Sequence, residues 1–73
     1  MAKKGGSAVY RVTDVIGTSS SSWEDAARSA VKTASKSLRD LRIAEITKLN
    51  VRIENGKVSQ FRTRLSLSFK YGA

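Results

Sequence analysis

Any chemistry in this chain falls to carboxylates, hydroxyls, cations and one indole, because the sequence contains no histidine and no cysteine. Without histidine it lacks the commonest general base and the commonest transition-metal ligand. Without cysteine it has no disulfides and no thiolate metal site, which fits a reducing compartment. The serine run at 19–22 offers hydroxyls with no base beside them and no sharp nucleophile turn around them. "GKVS" at 56–59 lacks the glycine-rich lead-in of a phosphate loop. The carboxylates Glu24, Asp25, Asp40, Glu45 and Glu54 are scattered, mostly beside Arg or Lys, and read as caps and solvated charges. The chain is not expected to be an enzyme.

Binding remains. Lys and Arg number 14 against 6 Asp and Glu, a net charge of +8. That balance suits anionic partners such as phosphorylated small molecules, nucleic acid or acidic lipid. Arg62, Arg64 and Lys70 share one parity near the C-terminus and form a basic strand face. Nucleic-acid binding by such a face is helped by aromatics that stack on bases. Here Phe61, Phe69 and Tyr71 have the opposite parity and point to the other face. Nucleic acid is therefore expected to bind weakly, if at all, and without sequence preference.

These residues must be positioned by a small scaffold. A chain of 73 residues allows one domain with a thin core. Residues 1–7 read as a flexible tail with Gly5-Gly6-Ser7 as its joint, and 8–71 as the domain. The opening "MAKKGGSA" has no apolar stretch behind its lysines, and no apolar run approaches the roughly 20 residues of a membrane span. A cytoplasmic protein without a membrane partner is expected.

The run at 8–16, "AVYRVTDVI", reads as a half-buried strand, with Tyr10, Val12 and Ile16 on the buried parity and Gly17 ending it. Asp14 falls on the same parity and is a residue to watch. From Trp23 to Leu38 the apolar positions recur every three or four residues, including Ala26, Ala27, Ala30, Val31 and Ala34, one face of an α-helix. Ser21 with Glu24, or Ser22 with Asp25, fits an N-terminal capping pair, and Arg39 would sit near the helix's far end. Trp23 then reads as the first core residue of the helix rather than a ligand platform. The alanines require close seating against a partner that supplies the bulk.

The segments 43–54 and 57–70 supply that bulk as two long strands. The apolar parity of the first switches between Ile46 and Leu49, predicting a bulge. Asn55-Gly56 between them is a strong signal for a type I′ hairpin turn. The order is strand, helix, strand, strand, an α+β arrangement. Strands of about 12 residues extend close to 40 Å, whereas a helix of about 16 residues covers roughly 24 Å. One helix cannot cover such a sheet, so an obligate oligomer is expected.

Taken together, "VYRVTDVIGTS" at 9–19, "SWEDA" at 22–26, "LRDLRIAEI" at 38–46 and "ENGKV" at 54–58 resemble the dodecin family over residues 8–71. The resemblance implies a three-stranded antiparallel sheet partly wrapped around one helix, and a hollow homododecamer that is non-catalytic. It also implies storage or sequestration of flavins, FMN or riboflavin, as stacked pairs between subunits, and in bacterial relatives coenzyme A. Flavin-binding members place a stacking Trp where this chain has Ile43, beside Ala44 and Glu45, and a hydrogen-bonding Gln where it has Arg62. An aliphatic side chain has no π face, so the flavin site is expected to be altered or lost. The chain is more similar to a branch with a small aliphatic pair, as in "RIA", described as flavin-free and calcium-binding. The alternative implied by that branch is an ion-binding shell in which a symmetry axis gathers copies of Asp14 or Glu45, since calcium needs several oxygen ligands.

Overall fold

The structure is a computed structural model that describes residues 8–70. The expected tail at 1–7, and Tyr71, lie outside the described residues. Four elements follow in order: strand β1 (Tyr10–Ser19), helix α1 (Trp23–Ala34), strand β2 (Leu41–Glu54) and strand β3 (Lys57–Lys70). They form one three-stranded antiparallel sheet in the order β1-β3-β2, with the helix against one face.

The helix starts where its capping chemistry places it. Of the two capping pairs, Ser22 with Asp25 is the one formed: the Asp25 backbone N–H donates to Ser22 Oγ at 3.0 Å. The Asp25 carboxylate also accepts a hydrogen bond from Ser19 Oγ at 2.7 Å, tying the helix start to the end of β1. The helix ends at Ala34, earlier than its apolar spacing predicts, because hydrogen-bonded turns take over through Ser35 and Ser37. Leu38 still reaches the core from that turn. Arg39 therefore lies past the helix terminus rather than in its last turn.

Trp23 is half-buried and packs at the start of the helix, beside rather than within the central core. Its ring meets Phe61 edge to face, with centroids 5.2 Å apart. Its Nε1–H donates to the Asn50 carbonyl at 3.0 Å, and its own carbonyl accepts from the buried Thr63 hydroxyl at 2.9 Å. One indole thus ties α1 to both long strands. The hairpin is as read: Asn55 and Gly56 both have positive φ. The β2–β3 register shifts between Ile46 and Lys48, the bulge that the parity switch predicts.

β1 corrects the sequence reading twice. It continues through Gly17 to Ser19 instead of ending at the glycine. Its helix-facing parity is also the odd one, with Val15 against the core and Gly17 buried. Tyr10, Val12 and Ile16 face away from the helix and are exposed. The cause is the close approach of α1. A Cβ at Gly17 would collide with the Ala26 carbonyl and sit 2.9 Å from Ala30 Cβ, so the helix seats only over a residue without a side chain.

The core is small: Ala26, Ala30, Leu65 and Leu67, ringed by partly buried side chains such as Val15, Val31 and Leu41. The helix has 12 residues and the long strands 14 each, which corresponds to about 18 Å of helix over about 46 Å of strand. A groove of about 390 Å³ remains between α1 and β2, floored by Ala27, Val31, Ala44, Ile46 and Leu65. No helix among the described residues is long and apolar enough to cross a membrane.

Candidate functional site

The face of the sheet turned away from α1 collects every residue singled out for binding. Paired residues on neighbouring strands share a face, so the register sets out this surface as rows across β1, β3 and β2. Val12, Ser68 and Ile43 form one row, and Asp14, Ser66 and Glu45 the next. Ile16, Arg64 and Lys48 follow, then Thr18, Arg62 and Asn50. Ile43, Glu45, Arg62 and Asp14 therefore share one surface, but not one spot. Ile43 and Arg62 are three rows apart, about 20 Å at 3.3 Å per residue. Within one chain these two positions do not meet at a single small pocket.

Asp14 is held on this face by two side-chain partners from β3. Ser66 Oγ donates to its Oδ1 at 2.6 Å, and the Arg64 guanidinium donates to Oδ2 at 3.4 Å. Both bonds favour the charged form, Ser66 more than Arg64, and together they hold the Asp14 carboxyl below the usual carboxylate range against a small opposing effect of desolvation. The sequence reading did not pair Asp14 with Arg64 and Ser66, since 50 and 52 residues separate them. The available signal was the shared parity of Arg64 and Ser66 on the polar side of β3.

A depressed folded-state pKa contributes stability that is present above the unfolded value, about 3.9, and is lost as pH falls through the folded value. Ser66→Ala removes the larger cause, so the Asp14 titration is expected to move up toward the ordinary value. NMR titration of the Asp14 carboxyl carbon in both proteins checks this. An unchanged midpoint would mean that the Ser66 bond is not held in solution.

The fit of ions and rings to this face follows from its residues. Calcium takes about 6–8 oxygen ligands, and among the described residues no three acids come together. Both Asp14 oxygens are already engaged by Ser66 and Arg64. One subunit alone does not fit a calcium ion. Ile43, 66% exposed, presents an aliphatic side chain with no π face. Tyr10 is the one aromatic among the described residues on this face; Phe61 and Phe69 have the helix-side parity.

The family model described as Dodecin matches residues 9–72. The calcium dodecin of Mycobacterium tuberculosis is 40% identical over 62 residues, 85% of this chain and 87% of that protein. A solved structure of that organism's calcium dodecin, described as calcium chelating with a novel calcium-binding site, superposes with a TM-score of 0.79 at 39% identity, covering 88% of this chain and 91% of that one. The dodecin of Streptomyces coelicolor superposes with a TM-score of 0.87 at 38% identity, covering 93% and 97%. With its β-α-β-β order, its antiparallel sheet against one helix and this match over nearly its whole length, the chain belongs to the dodecin family.

Proposed function

We propose that residues 8–71 form a single domain that assembles into a hollow homododecamer, a non-catalytic shell that binds and stores a small ligand in the cytoplasm. The observation that carries this reading is the amount of large apolar surface left uncovered on both sides of one thin sheet. Val12, Ile16 and Ile43 are exposed on the far face, and Ile46 and Leu49 on the helix side, with Ile53 and Val58 paired beyond the start of α1. A monomer would expose all of these to water, and a domain of this size has little core to offset that. Light scattering coupled to size exclusion is expected to give about twelve times the chain mass of 8.0 kDa. A stable folded species at the single-chain mass would overturn the proposal.

The ligand follows from the far face. Ile43 offers no stacking surface, so flavins are expected to bind weakly. FMN is preferred over riboflavin, because Arg62 can pair with its phosphate. The 20 Å between these positions in one chain supports an intersubunit pocket made by Ile43 and Glu45 of one copy and Arg62 of another. Coenzyme A carries the same phosphate chemistry. The second reading is an ion shell. It is supported by the row of oxygens Asp14, Ser66 and Glu45 and by the calcium dodecin relative. Since one subunit supplies too few ligands, it requires copies of Asp14 or Glu45 to meet across a symmetry axis.

A further inference from the structure

The far face of the sheet holds a concentration of positive charge of which the flavin reading uses only Arg62 and the ion reading none. Lys48 on β2 lies directly across from Arg64 on β3. Arg62 follows two residues along β3 on the same face, flanked by Thr18 and Asn50. Like charges placed directly opposite on paired strands destabilise a sheet. The protein's own acids leave most of this charge uncompensated. Asp14 pairs with Arg64 at 3.4 Å, and the other salt bridge among the described residues joins Arg52 to Glu54 near the hairpin turn. Glu45 lies one row away opposite Ser66 and makes no ion pair with Lys48.

We propose that Lys48, Arg62 and Arg64 form a binding site for a polyvalent phosphate anion. Neighbouring strands are about 4.8 Å apart and alternate residues about 7 Å apart, so two or three linked phosphate groups span the trio. The guanidinium groups suit bidentate contact with phosphate oxygens, and the ammonium adds a compact charge. Thr18 and Asn50, in the Arg62 row, place a hydroxyl and an amide beside it. An anion seated here also removes the like-charge repulsion between Lys48 and Arg64, which gives the site a readout in stability as well as in affinity. The proposal rests on reading the chain as a binding module, and names the ligand class of its charged face.

The test is calorimetric titration with inorganic triphosphate at low salt, with light scattering on the same samples. Arg62→Gln and Lys48→Ala are each expected to weaken binding by about tenfold or more, while Lys48→Arg retains it. Lys36→Ala, which removes an equal charge just beyond α1, is expected to change it by less than about twofold. Without anion, Lys48→Ala is expected to raise the melting temperature. A native protein that fails to bind triphosphate would overturn the proposal, as would equal weakening by Lys36→Ala, which would assign the effect to net charge. Binding by a monomer would uphold the site and sink the assembly, and an assembled shell that does not bind would do the reverse. Displacement of triphosphate by FMN assigns the site to phosphate monoesters, and lack of displacement assigns it to free polyphosphate.

Discussion

Gly17→Ala is expected to unseat the helix and to lower the melting temperature by about 12 °C or more, a loss on the order of 3 kcal/mol for a domain of this size. The added methyl would meet the Ala26 carbonyl oxygen well inside contact distance, with the Ala26 carbonyl carbon and Ala30 Cβ each at 2.9 Å. Two of these three atoms are backbone, and Ala26 is fully buried. No rotamer change can make room, so α1 must lift from β1. That motion would open the contacts of Ala30 with Leu65 and Leu67, which are most of the core. Gly56→Ala is the comparison. Its Cβ would meet nothing within 4 Å, and the cost is confined to a left-handed backbone at φ 73°, about 1–2 kcal/mol. Thermal denaturation of the two variants beside the native protein ranks them. If Gly17→Ala melts within about 2 °C of native, the helix does not sit on β1 as described.

Ile43→Trp is expected to strengthen flavin binding about tenfold to a hundredfold. Stacking on a protein aromatic is worth about 1–3 kcal/mol per base, and every 1.4 kcal/mol is about tenfold in affinity. The same range serves for an isoalloxazine ring. Position 43 can accept the indole, since Ile43 is two-thirds exposed and its neighbour across the strand is the small Ser68. The gain is expected for riboflavin and FMN alike, because stacking does not involve the phosphate. The preference of the native protein for FMN should persist in the variant, since it depends on Arg62. Flavin-fluorescence titration of both proteins measures all four affinities. Sub-micromolar quenching of riboflavin by the native protein would show that the site does not depend on position 43. No gain in Ile43→Trp would show a pocket remodelled beyond this residue, and would favour the ion shell.

Local chemistry was enough to read most elements directly. The three-and-four spacing after Trp23, the Ser22–Asp25 cap, the Asn55-Gly56 turn and the alternation along 57–70 are each decided by neighbours within a few residues, and the structure contains all of them. The bulge near Thr47 was legible for the same reason, because a parity switch within one strand has few other causes. The side-chain types that the candidate face presents, aliphatic at Ile43 and cationic at Arg62, were legible, but their placement three rows apart on one surface was not.

Tertiary structure alone decided which face of β1 meets the helix. Alternation shows that a strand has two faces, and hydrophobicity favoured Tyr10, Val12 and Ile16 as the buried one. A helix lined with alanine, however, needs close approach more than it needs bulk. Gly17 provides that approach on the opposite parity, leaving the more apolar face of β1 open for other contacts. The same holds for the charged rows. Asp14 with Ser66 and Arg64, and Lys48 against Arg64, are partners across strand register. Register is set jointly by the turn, the bulges and the packing of α1, none of which is a property of the paired residues themselves.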